Sequence, residues 1–258
     1  MKKKILAIAL VVAMLAIAVI GGTLAYFTDK DYAENTMTIG NIDIIQNEYE
    51  YDENGDLVPF TQDKPLFPYV GTISWDAASK TAEVNGAAAG AYRQFGMNNV
   101  IDKYVTVENT GKNDAYVRTF IALEMGDTHT VESFQQIGIS NNSSTGSEFK
   151  FPGTWVWEYD YVIEIDGHKY WVASAVHEDA LAPTEESVPS LLQIYLAKDA
   201  TQEDAAKIDS DNNGKYTIHA LTQGVQANGF DSAEAALDEA FGDVTAANLQ
   251  AWFAEAIA

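Results

Sequence analysis

The stretch 155–175, WVWEYDYVIEIDGHKYWVASA, limits what this chain can fold into more than any other. Trp155, Trp157, Tyr159, Tyr161, Ile163 and Ile165 share one parity; Val156, Glu158, Asp160, Val162, Glu164 and Asp166 share the other. A period of two held this long is a β-strand with one buried face and one largely charged face. Asp166-Gly167 then supplies hairpin-turn residues leading into a second strand over Tyr170–Ala175. An aromatic stripe can also be a carbohydrate platform, but the alternation already accounts for this one as core.

Other runs read the same way. TMTIGNIDII places Met37 and Ile39 on one face, then Ile42 and Ile44 at the opposite parity, so a bulge or tight bend is expected at Gly40. IDKYVTVENTGKNDAYVRTFIALE holds two strands, Lys103–Val107 and Ala115–Leu123, with Asn109, Gly111 and Asn113 turning between them. LAPTEESVP is a loop bracketed by Pro183 and Pro189, after which Ser190–Ala197 resumes as a strand. DSDNNG turns into a further strand over Lys215–Leu221. The stretch 76–91, DAASKTAEVNGAAAGA, has no period and reads as an irregular loop, and 141–147, NNSSTGS, as a polar surface loop. Many short strands divided by turns predict a mainly β fold, an antiparallel β-sandwich.

Only the end reads as helical. Asp231 is a candidate cap with Glu234 as its returning partner, Leu237, Ala240 and Phe241 share a face, and Gly242 is a natural stop. A second amphipathic stretch puts Leu249, Trp252, Phe253 and Ile257 on one side. Both are too short to persist alone, so the segment 231–258 is expected to pack on the sheet.

The N-terminus has a different character. Lys2, Lys3 and Lys4 precede an apolar run from Ile5 to Ile20, closed by Gly21-Gly22. The run is shorter than the roughly 20 residues of a membrane-spanning helix, and the whole has the layout of a secretory signal. Residues 1–25 are therefore expected to be removed, with Thr23 and Ala25 at the −3 and −1 positions and the cut between Ala25 and Tyr26. A retained anchor is the alternative. After cleavage the membrane would be met only through the uncleaved signal, and the mature chain, 26–258, is expected to be one β-sandwich domain and secreted. It has no LPxTG-like motif to tether it covalently.

The formal charge is −23, and losing three lysines with the signal takes it to −26. Such a surface repels phosphate backbones, so nucleic acid is not an expected partner. With no cysteine, disulfides, thiolate metal sites and a Cys nucleophile are excluded together. His177-Glu178 begins a His-Glu-x-x-His zinc pattern, but Leu181 stands where the second His belongs; His129, His168 and His219 are scattered. No Gly-x-Ser-x-Gly elbow or Gly-rich phosphate loop is present, and no catalytic residue is assigned. Asp209, Asp211, Asn213 and Gly214 match positions 1, 3, 5 and 6 of a calcium-binding EF-hand loop, but position 12 is Ala220 rather than Glu. A hairpin turn explains the same residues, leaving no cofactor expected beyond weak calcium.

GGTLAYFTD followed by NTMTIGNIDI resembles the N-terminal signature of the TasA and camelysin family, exported proteins of Gram-positive bacteria whose signals are cut by a SipW-type peptidase. The resemblance continues through VIDKYVTVENTGKNDAYVRTFIALE, LAPTEESVPSLLQIYL and GVQANGFDSAEAALDEAFG. It implies a jelly-roll β-sandwich and a subunit of biofilm-matrix fibres at the cell surface or in the extracellular matrix. It also implies self-association in which a freed N-terminal segment pairs with the sheet of the next subunit. Carried onto this chain, the donor segment is Tyr26 to about Ile39, with Tyr26, Phe27, Tyr32, Met37 and Ile39 as its apolar side chains. Camelysin-like members have been described as metallopeptidases, which supplies an enzyme alternative; a monomeric surface-binding module is a third.

Overall fold

The computed structural model describes residues 28–32, 35–37, 42–52, 54–68, 73–76, 81–84, 87–88, 100–126, 137–143, 150–152, 155–197, 199–209 and 213–257. In chain order the strands are β1 (Thr28–Tyr32), β2 (Asn35–Met37), β3 (Ile44–Tyr51), β4 (Leu57–Pro59), β5 (Ile73–Asp76), β6 (Thr81–Val84), β7 (Ala87–Ala88) and β8 (Val100–Asn109). They continue with β9 (Ala115–Met125), β10 (Ile137–Ser143), β11 (Lys150–Pro152), β12 (Trp155–Ile165), β13 (His168–His177), β14 (Leu191–Leu196) and β15 (Ile218–Gln226). Three helices are described, α1 (Gln202–Ile208), α2 (Ala233–Phe241) and α3 (Ala246–Ile257).

The first sheet runs β12-β13-β9-β15-β1-β2 and the second β11-β10-β14-β8-β3-β4, antiparallel throughout except between β10 and β11. β1 pairs with β15, β8 with β14 and β9 with β13. Pairs that nest in this way, from the chain ends inward, are what results when an antiparallel ribbon is rolled into two sheets, the jelly-roll arrangement. A third, small sheet, β5-β6-β7, lies between β4 and β8 in the sequence.

Two apolar layers hold the fold. Between the sheets lie Ile42, Ile44, Val105, Val107, Val117, Ile121, Leu123, Trp155, Trp157, Leu181, Leu191 and Ile194. On the other side of the first sheet, Phe120, Ile163, Ile165, Tyr170, Val172 and Leu221 pack against Leu249, Trp252 and Phe253 of α3. Ala233, Ala236 and Leu237 of α2 pack there on Val225. The first sheet is thus buried on both faces, which is why β9 is apolar almost without alternation.

The stripe from Trp155 to Ile165 does not share one face. Glu158 stands opposite Ser174 but Tyr161 opposite Val172, so β12 carries one extra residue between them. That bulge reverses the parity. Trp155 and Trp157 enter the layer between the sheets, whereas Ile163 and Ile165 turn toward the helices. Because both layers are apolar, the reversal leaves no mark in the hydrophobic pattern.

Other boundaries also move. The stretch 76–91 is not wholly irregular: β6 and β7 fall within it, with Ile73 opposite Val84 and Trp75 opposite Ala82. Alanine gives little period-two contrast, so this backbone pairing is invisible to the pattern. Asn141–Ser143 belong to β10, beyond a register shift, rather than to a loop. β15 starts at Ile218, not Lys215. The cap of α2 is Ser232, whose hydroxyl accepts from the Ala235 amide, and not Asp231. Gly242 ends that helix as expected, at φ 93°, its amide bonding to the Asp238 carbonyl.

Helices are not confined to the C-terminus. In α1 the Thr201 hydroxyl accepts from the Asp204 amide while the Asp204 carboxylate accepts from the Thr201 amide, a reciprocal cap. The Thr201 hydroxyl and amide, then Lys207, hold the Asp204 carboxyl down to about 2. The helix is brought close to the end of β9: a Cβ on Gly126 would lie 1.9 Å from the Lys207 carbonyl oxygen, so no other residue fits there.

Candidate functional site

β15 is the strand on which the N-terminal segment rests. On one side it pairs with β9 from Ile218↔Leu123 to Gln226↔Ala115. On the other it pairs with β1, from Thr28↔Val225 to Tyr32↔Leu221. β1 then folds back through Tyr32↔Asn35 into β2, so the described part of the N-terminal segment is a small hairpin rather than one continuous strand. Without it, β15 would be an edge with five unpaired residues, yet Leu221, Thr222, Gln223 and Val225 are all buried. Five residues of ladder, at about 0.5–1.5 kcal/mol per hydrogen bond, make this pairing a substantial part of the fold's stability.

The bed under that hairpin is built from both layers. On the inner side, a Cβ on Gly224 would lie 2.9 Å from Ile44 Cδ1, so glycine lets Ile44 of the facing sheet close against the β15 backbone. Next to it the Thr119 and Thr222 hydroxyls are 3.0 Å apart, and Thr222 donates to Gln46 Oε1 at 2.7 Å, giving a polar bridge between the sheets. On the outer side Leu221 lies in the cluster under α3.

Arg118 locks this outer layer. It is 1 % exposed; Nε donates to Gln223 Oε1 at 2.7 Å, one terminal nitrogen to Asp238 Oδ1 at 2.7 Å and the other to the Gly242 carbonyl at 3.1 Å. Its guanidinium carbon lies 5.0 Å from the Trp252 ring centre and 5.3 Å from that of Phe120. Burial pulls the Arg118 pKa down, and Asp238 pushes back, so the charge is kept by a partner on α2. One side chain thereby ties β9 and β15 to both ends of the α2 stop. The sequence signal for it is an arginine inside a strand whose eleven residues are mostly apolar.

The residues singled out from the sequence are placed unevenly. Ala25, Tyr26, Phe27, Ile39 and Asp211 lie outside the described residues, as do Gly40 and His129. Tyr32 closes β1 opposite Leu221, and Met37 sits in β2 opposite Lys30. Asp209 accepts from the Asn213 amide at 3.1 Å and the Gly214 amide at 2.8 Å, and Asn213 Oδ1 accepts from the Lys215 amide at 2.7 Å. These bonds shape a tight turn with Gly214 at φ 77°.

His177 and His219 serve packing. His177 is buried at the end of β13, its Nδ1 2.6 Å from the Asp179 carbonyl and its ring edge-on to Trp155 at 4.9 Å. Leu181, where a zinc motif needs histidine, is core, and its backbone pairs with Ala115. His219 stands in β15 with its ring 5.0 Å from Tyr170. Burial lowers the pKa of both His177 and His219. Among the described residues no group of three or more His, Asp or Glu is placed to hold a metal ion.

The match to known families falls on the N-terminal strands. Residues 1–59 match the family model of camelysin metallo-endopeptidases. This supports the resemblance to the TasA and camelysin group, and it spans β1 through β4. No curated protein and no solved structure matches the chain. Among the described residues no helix is long and apolar enough to cross a membrane.

Proposed function

We propose that this chain is an exported structural protein of the extracellular matrix, a fibre subunit that assembles by giving its N-terminal strand to the next copy. The observation that carries this reading is the seat of β1, which with β2 forms a hairpin at the end of the sheet and pairs along five residues of an otherwise buried strand. The family match covers the same N-terminal residues. In the fibre, the segment from Tyr26 to about Ile39 leaves its own β15 and takes the same place on the β15 of a neighbour. The pairs lost and gained are identical, so exchange changes the partner and not the contacts. Head-to-tail exchange does not close on itself and so builds filaments.

Cleavage between Ala25 and Tyr26 by a SipW-type peptidase would free this segment outside the cell, making export the trigger for assembly. The net charge of −23 keeps nucleic acid away. Weak calcium binding at Asp209, Asp211 and Asn213 is a minor part of the proposal; an unchanged melting temperature at millimolar calcium removes it.

Electron microscopy of a chain starting at Tyr26 beside one starting near Thr36 tests the main reading. Filaments from the longer chain alone are expected. Filaments from neither remove the fibre, and filaments from both remove strand donation. The family description favours a second reading, a secreted metallo-endopeptidase. Chelator-sensitive hydrolysis of an unfolded protein substrate by the mature chain would establish it in place of the first.

A further inference from the structure

We propose that Gln250 guards the other edge of the first sheet, and that removing it turns β12 into a pairing surface for a second copy of this chain. Among the described residues no strand pairs on the outer side of β12. Asp166 and Gly167 both have positive φ, 51° and 84°, the geometry of a tight two-residue hairpin. In such a hairpin the flanking pair, here Ile165 and His168, bond to each other, and the backbone groups one residue back point away from β13. That residue is Glu164.

Both of its outward groups are taken by one side chain. The Glu164 amide donates to Gln250 Oε1 at 2.7 Å, and Gln250 Nε2 donates to the Glu164 carbonyl. A primary amide offers one donor and one acceptor on the same plane, as a residue of a neighbouring strand does. Gln250 therefore stands where a further strand would add. It is held there by Leu249, Trp252 and Phe253, which anchor α3 to the sheet.

The unguarded stretch is short. The bulge between Glu158 and Tyr161 ends the regular edge, and β12 also touches β10 of the second sheet. On the same outward-bonding register as Glu164, Val162 is 42 % exposed. An antiparallel edge is complementary to its own two-fold copy, so β12 of a second molecule is the partner this surface fits, with Val162 near the axis. Each copy carries a formal charge of −23, so two copies repel, which keeps the pairing weak and lets a single side chain hold it off.

The mature chain is compared with Gln250→Ala, with Gln250→Met, which keeps the helix propensity and length, and with Gln250→Ala combined with Val162→Lys. Hydrogen exchange reads the Glu164 amide, and sedimentation velocity reads association at low and high salt. In dilute solution, where the single variants are monomeric, both are expected to exchange that amide roughly fivefold faster or more. Both are expected to form dimers that strengthen with protein and with salt, as screening of the like net charges requires. Val162→Lys should abolish the dimer and leave the fast exchange. Monomers at every concentration, or a Glu164 amide as protected as in the parent, overturn the proposal. Dimers that vanish when the chain starts near Thr36 overturn β12 as the partner, because the N-terminal segment is then the occupant. Neither readout depends on whether the unsubstituted chain forms filaments, so this proposal and the fibre can fail separately.

Discussion

The two edges of the first sheet are closed by unlike means. At the β15 side the closure is a hairpin of the chain's own N-terminus, paired along five residues. At the β12 side it is one glutamine on the C-terminal helix. α3 reaches both: its 12 residues rise about 18 Å, close to the roughly 19 Å of four strand spacings, and it touches β12 and β1. An edge covered by a strand can be handed to a neighbour with its bonds intact. An edge covered by a side chain can only be open or shut. On this contrast the proposed exchange belongs to one side of the sheet and the proposed protection to the other.

The largest effect should come from the bed shared by both closures. Arg118→Ala removes a buried cation and leaves Asp238 and Gln223 without their partner, a change worth about 3–5 kcal/mol. A fall of the urea midpoint that corresponds to that amount when multiplied by the m-value, with the helical signal lost ahead of the strand signal, is the expected record. Phe253→Ala should cost about 3–5 kcal/mol, since the ring is fully buried between α3 and the sheet. If the helix spans the sheet as described, amide protection in this variant falls at β1 and β12 together; loss at one edge alone would break the comparison.

Gly224→Ala acts on one edge only. The new methyl meets Ile44 at 2.9 Å, and overpacking of this kind costs about 1–3 kcal/mol. Exchange should quicken in β1 and stay unchanged at Glu164. The smallest effect is a pH dependence. His177 and His219 have lowered folded pKa values through burial, so the unfolded chain binds protons more readily at both sites. Their contribution is fully present above the unfolded value of about 6.5 and is lost as pH falls below it. His219→Gln should flatten the decline for the β15 side and His177→Gln that for the end of β13; equal curves for parent and both variants would refute the assignment.

Local features were legible in the sequence because they are set by neighbouring residues. The hairpin at Asp166-Gly167, the stop at Gly242 and the buried side of α3 all stand where the pattern placed them. The cap of α1 is equally local, in Thr201 and Asp204, but a helix of seven residues is too short to show a helical period. The edge of the β1 hairpin was half legible: the family signature marked the segment, and nothing local named β15 as its partner.

The sequence by itself determined the long strands β8, β9, β12, β13 and β14, the turns between them, and that they form an acidic, cysteine-free β-sandwich. Only the tertiary structure decided which way the strands face and which meet. The bulge in β12 sends Trp157 and Ile163 to opposite layers, and no hydrophobic count distinguishes two apolar layers. Arg118 finds Asp238 120 positions away, and Gln250 finds Glu164 86 positions away. Such meetings depend on the register of whole strands and the reach of a docked helix, and each is settled by what the fold buries rather than by adjacent residues.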